Sequence, residues 1–199
     1  VPPRLDSARV MPVASASALA ATALAAGAIA AAWLFIGPAG FSFALVTHFV
    51  LMAWVSSIIS PRVRIPDLAW LRVRPWESRL YPALGVRLFG TLLDVTGWNR
   101  VVEKERGFSG TREGLHGLDQ HTRRSEVGHG LCIVATVALA VGVLSTGAWY
   151  GAAWLIALGL VVHVYPVLLQ RLLRARIQSI SARLAGRAGQ PTPWGQDPR

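Results

Sequence analysis

Four long apolar runs alternate with polar segments along the chain. Val13 to Ile36 carries no charge for 24 residues and is rich in alanine. About 20 helical residues cross a hydrocarbon core of about 30 Å, so the run predicts a membrane-spanning helix. A cleaved signal peptide is the rival reading, since arginine, an apolar stretch and small residues are all present. The length of the run and the second span that follows at once favour a retained helix. Gly37-Pro38-Ala39-Gly40 reads as an uncharged turn, and residues 41–60 as the second span, with His48 inside it. Residues 130–147 and 149–169 predict a second pair of spans, joined by the uncharged turn Ser145–Ala148. The expected fold is an all-α membrane protein of one integral membrane domain, with four transmembrane helices in two hairpins.

Between the pairs lies a polar segment, residues 61–129. Its first half interleaves Trp70, Trp76, Leu80, Tyr81, Leu84, Leu88, Phe89 and Leu92 with Arg72, Arg74, Arg79 and Arg87. Rings and guanidinium groups at this density predict interfacial amphipathic helices, with rings at headgroup depth and arginines on phosphates. Residues 98–120 are more polar and read as a cytoplasmic loop. Residues 170–187 predict an arginine-rich helix, and the Gly/Pro/Gln tail 188–199 a disordered end.

Charge turns this pattern into a topology. The chain carries a net charge of +10, and its two short turns hold no lysine or arginine. The basic residues sit in the N-terminus, the 61–129 segment and the C-terminus, which the positive-inside rule places in the cytoplasm. A hydrophobic content of 53% with only 15% charged residues is high for a soluble domain. Basic charge flanking apolar spans fits anionic lipid, and no nucleic-acid partner is expected. Cys132 is the single cysteine, which excludes an intramolecular disulfide and reads as a small buried hydrophobe.

Three polar clusters lie near membrane boundaries. They are Arg72 to Tyr81, His121 to His129, and Pro166 to Arg176. Glu126 and His129 are three apart and share a helix face, so the carboxylate is placed to orient the imidazole as a general base for a hydroxyl. Arg123 is spaced to pair with Glu126, and Arg124 to hold an anion. The bland reading of this cluster is a solvated helix start with snorkelling arginines. His121 and Glu126 also show His-x4-acid spacing, a two-residue pattern that chance supplies often. His48 and His163 read as packed helix histidines. With His129 they have no ligand spacing that supports a metal or haem, and no metal is expected. Nucleophile-elbow, P-loop and dinucleotide motifs are all missing.

The three clusters in order resemble the glycosyl-4,4'-diaponeurosporenoate acyltransferase family. The resemblance rests on Arg74, Trp76, Glu77, Tyr81, Leu84, Gly85, Val86, Phe89, Leu92, Leu93 and Asp94, then Thr122, Arg124, Glu126 and His129, then Pro166, Gln170, Arg171, Arg174 and Arg176. It covers roughly residues 50–176. Departures at His121, Gly130 and Leu172-Leu173 bear on the acceptor more than on the reaction type. The resemblance implies transfer of a fatty acyl group to a hydroxyl of a membrane-embedded acceptor, here a glycosylated carotenoid. The acyl donor, acyl-CoA or another, is a co-substrate, and no further cofactor is expected. In this reading His129 is the catalytic base and Glu126 its orienter. Arg124, Arg171 and Arg174 hold donor phosphates or the oxyanion, Trp76 and Glu77 shape the acceptor mouth, and Arg74, Tyr81, Arg123 and Gln170 are further substrate-binding residues. The rival reading is a non-catalytic membrane scaffold or lipid-binding protein that uses the same arginines for headgroups. Expected partners are membrane lipid, a lipid-soluble acceptor and the acyl donor.

Overall fold

A computed structural model describes residues 10–59, 63–97 and 111–188. Among the described residues the regular structure is all-helical, with no strand. Helix α1 is Val10–Phe35 and α2 is Phe41–Ile58. A 3-10 turn, Ala69–Leu71, precedes α3 (Glu77–Ala83) and α4 (Val86–Val95). Helix α5 is Arg112–Ser145, and α6 is Trp149–Gly159. A π-helical segment, Leu160–Val164, leads into α7, Tyr165–Ala188. Among the described residues four stretches are long and apolar enough to cross a membrane: Ala16–Phe35, Phe41–Ile58, Gly114–Ser145 and Trp149–Leu184.

Two expectations shift. The loop expected over 98–120 ends by residue 111, because α5 starts at Arg112, well before the apolar run. Polarity does not end a helix; proline or a left-handed residue does, and α5 contains neither. Its polar turns are held instead by the Asp119–Arg123 ion pair, one helical turn apart. The basic helix expected at 170–187 is the continuation of α7 and runs to Ala188. Pro166 does not break it: the helix runs on through the π-helical segment Leu160–Val164 just before the proline, where the regular α-helical bonding is already interrupted. Residues 67–95 form short helices separated at Arg72–Trp76 and at Gly85, whose φ is +74°. Residues 98–110, where the rest of the loop was expected, lie outside the described residues, as do residues 1–9 and the tail 189–199.

The chain divides into two compact units. The first comprises Val1–Arg64 and Arg124–Val167. Both of its hairpin turns carry a left-handed glycine, Gly37 at φ +83° and Gly147 at φ +81°, a conformation that disfavours any side chain. Its core joins Ala32, Phe43, Ala44, Ala140, Val143, Ala152 and Leu155, with Trp33 edge-on to Phe43. Gly151 lets α6 touch the α1–α2 turn directly: a Cβ there would lie 1.8 Å from the Pro38 carbonyl oxygen. Leu19, Leu24, Leu34, Phe35, Phe49 and Val134 are more than two-thirds exposed, an apolar surface suited to lipid.

The second unit comprises Ile65–Arg123 and Leu168–Arg199. Its small core is Tyr81, Val86 and Leu172, backed by Val73, Leu168 and Leu169. Ion pairs and backbone-directed arginines supply much of the rest of its packing.

Candidate functional site

In the first unit three histidines from three helical segments meet. His48 projects from α2, His129 from α5 and His163 from the π-helical segment. His163 is fully buried and His48 is 2% exposed. Nδ1 of His48 lies 2.9 Å from Nε2 of His163, and Nε2 of His48 lies 3.0 Å from the Leu155 carbonyl oxygen. Nδ1 of His129 lies 3.3 Å from Nδ1 of His163. Two local features make room. Gly159 exposes backbone where a Cβ would come within 3.3 Å of the His48 ring. The π-helical turn is wider than an α-turn, a distortion often found at functional sites.

The half-buried His129 therefore meets His163 where sequence reasoning placed Glu126. Glu126 itself is buried at 5% exposure, one turn before His129 on α5. Arg124 is half-buried on the same helix. Among the described residues no group of histidine, cysteine or acidic side chains has an arrangement that would hold a metal ion.

In the second unit the first and third clusters meet. Arg171 binds Glu77 at 2.7 Å through Nη2 and at 3.0 Å through Nε, and donates to the Trp70 carbonyl at 3.2 Å. The Tyr81 hydroxyl donates to Glu77 and accepts from Arg171 Nε at 2.9 Å. The Arg74 amide donates to the other Glu77 oxygen at 3.1 Å. Burial alone would raise the Glu77 carboxyl, but hydrogen bonds from Tyr81, Arg171 and the Arg74 amide outweigh it and hold it below the usual carboxylate value. Burial, reinforced by Glu77, pushes the Tyr81 hydroxyl up to about 12.

Arg174 is fully buried. It donates to the Leu71 carbonyl at 2.7 Å and to the buried Thr122 hydroxyl at 3.1 Å. Thr122 in turn donates to the Asp119 carbonyl at 2.7 Å. Arg123 pairs with Asp119 at 2.7 Å and with Asp67 at 3.0 Å. These contacts turn Arg123, Arg171 and Arg174 inward as braces, although all three are expected from the sequence to bind substrate. Gln170 is buried, whereas Arg74 and Trp76 are exposed. An open cavity of about 670 Å³ in this unit is lined by both signs of charge, Asp67 and Asp119 against Arg72 and Arg123, so it is not set up as an anion pocket.

His48 and His163 do not stand out in the sequence, because neither lies in a motif and their spacing matches no ligand pattern. Asp67 and Asp119 carry no signal there either. The available signal was weak: two histidines in otherwise apolar spans, where ionisable groups are costly.

No curated protein and no solved structure matches the chain. The family described as Glycosyl-4,4'-diaponeurosporenoate acyltransferase matches it over residues 67–183. That stretch holds the Glu77–Tyr81–Arg171 network, the Thr122–Arg174 contact, Glu126, His129 and His163, and it is more than half of the chain. The chain belongs to the glycosyl-4,4'-diaponeurosporenoate acyltransferase family.

Proposed function

We propose that the protein is a membrane acyltransferase that moves a fatty acyl group from an activated donor to a hydroxyl of a lipid-soluble acceptor. The family match carries this reading, and the acceptor its name suggests is a glycosylated carotenoid. His129 is the base. It removes the proton from the acceptor hydroxyl as the oxygen attacks the acyl carbonyl. The tetrahedral oxyanion collapses to the ester and expels the donor's leaving group, a thiolate for an acyl-CoA. The imidazolium returns its proton to that group, so the base is regenerated. Arg124 is the guanidinium we assign to the donor's phosphates or to the oxyanion.

Arg171 and Arg174 serve this chemistry indirectly, by fixing α3 and the 3-10 turn against α7. The exposed rings of Trp70 and Trp76 suit the headgroup layer, where a glycosylated acceptor would present its sugar. By the positive-inside rule both termini and residues 61–129 face the cytoplasm, where acyl-CoA is available.

The test is to express the gene in cells that make a glycosylated carotenoid and to profile pigments by mass spectrometry. An acylated species should appear with wild type and be lost with His129→Ala at equal membrane abundance. Unchanged ester formation by His129→Ala would remove the base.

A further inference from the structure

The three histidines form a hydrogen-bonded chain that ends on a backbone carbonyl, and that end decides where every proton lies. The Leu155 carbonyl can only accept, so Nε2 of His48 carries its proton. In neutral His48, Nδ1 is then an acceptor. It is 2.9 Å from Nε2 of His163, which must donate. His163 in turn keeps a lone pair on Nδ1, 3.3 Å from Nδ1 of His129, which must donate. The lone pair of His129 is left on Nε2. The opposite direction would set a nitrogen lone pair against the Leu155 oxygen, which is repulsive.

We propose that the His163–His48–Leu155 chain locks His129 in the tautomer with its proton on Nδ1 and its basic lone pair on Nε2, making His163 and His48 positioning residues. A histidine side chain in water favours the proton on Nε2, so the Nδ1 proton has to be imposed by the hydrogen bond that it makes. Glu126 is not needed for it. The chain also differs from a carboxylate–imidazole pair, because the group behind the base is neutral and no fixed ion pair has to be buried in an apolar helix bundle. A carbonyl cannot take up a proton, so the chain orients and does not conduct. The left-out side chain at Gly159 and the wide turn at Leu160–Val164 are what let His48 and His163 reach this line.

The catalytic meaning of the lock rests on the reading of His129 as the base, while the tautomer itself does not. The experiment is imidazole 15N NMR on histidine-labelled full-length protein in lipid nanodiscs, with resonances assigned by single-histidine variants. Wild type should show His129 protonated at Nδ1 and bare at Nε2, with His163 and His48 protonated at Nε2. His163→Phe should shift His129 toward the Nε2-protonated form and lower kcat for acyl transfer at least tenfold with little change in KM. His163→Asn, which keeps an acceptor oxygen near the Nδ1 position, should retain the wild-type tautomer and recover most of the rate. A wild-type His129 protonated at Nε2 overturns the proposal, and so does a tautomer that His163→Phe leaves unchanged. Should His163→Phe fail to fold, the wild-type and His163→Asn spectra decide. The expected tautomer in a protein without acyl-transfer activity counts against the proposed function and leaves the lock standing.

Discussion

Replacing Glu77 with glutamine tests whether the second unit is braced as its geometry indicates. The Glu77 and Arg171 side chains are 10% and 14% exposed, and the pair is closed at 2.7 Å with a second bond at 3.0 Å. Glutamine keeps the shape and one acceptor but removes the charge, leaving a nearly buried guanidinium without its counter-ion. Breaking a buried pair from one side costs about 3–5 kcal/mol. With the amide oxygen still able to accept, Glu77→Gln should cost about 2–3 kcal/mol. Equilibrium unfolding in mixed micelles, titrated with denaturing detergent, measures this. A double-mutant cycle with Arg171→Met should show a coupling of at least about 1 kcal/mol. The pH dependence has a definite sign. The Glu77 carboxyl titrates below its ordinary value of 4.5 in the folded protein, so its contribution is complete above that value and is lost as pH falls through the folded value. Wild type should therefore lose stability in acid more steeply than Glu77→Gln. A cost under about 0.5 kcal/mol, or equal acid sensitivity in both proteins, would refute the reasoning.

Further outcomes follow from individual contacts. Gly151→Ala should destabilise by about 2–4 kcal/mol in the same assay, because the new Cβ meets backbone at Pro38 that no rotamer change can move. Asp67→Asn should cost less than about 1 kcal/mol, since its pairing with Arg72 is largely exposed to solvent and Arg123, which it also meets, keeps Asp119 as a partner.

How much of this was legible in the sequence depended on how local each signal was. Apolar runs longer than a bilayer is thick announce spans directly, and the two charge-free turns mark their hairpins. The start of α5 is not legible, because its first turns are stabilised by pairs such as Asp119–Arg123, whose geometry exists only once the helix has formed. The motif glutamate, tyrosine and arginines were all found, but their direction was not. Arg171 and Arg174 resemble anion binders in a list of residues, and only a partner many positions away, Glu77 or the Leu71 carbonyl, shows that they point inward. The histidine chain was the least legible feature. His48 and His163 are separated by 115 positions, and no local pattern encodes their contact.

The main-chain contact at Gly151 also bears on how the protein can be labelled. Surface turns generally accept inserted tags, but the turn from Gly37 to Gly40 is held at fixed length by α6, so an epitope inserted there would prise the first unit apart. Reporters of sidedness should enter by substitution instead. The sequence is well suited to this, because its single cysteine, Cys132, is fully buried, and Ser42→Cys or Ser145→Cys would place one exposed thiol beside either hairpin turn.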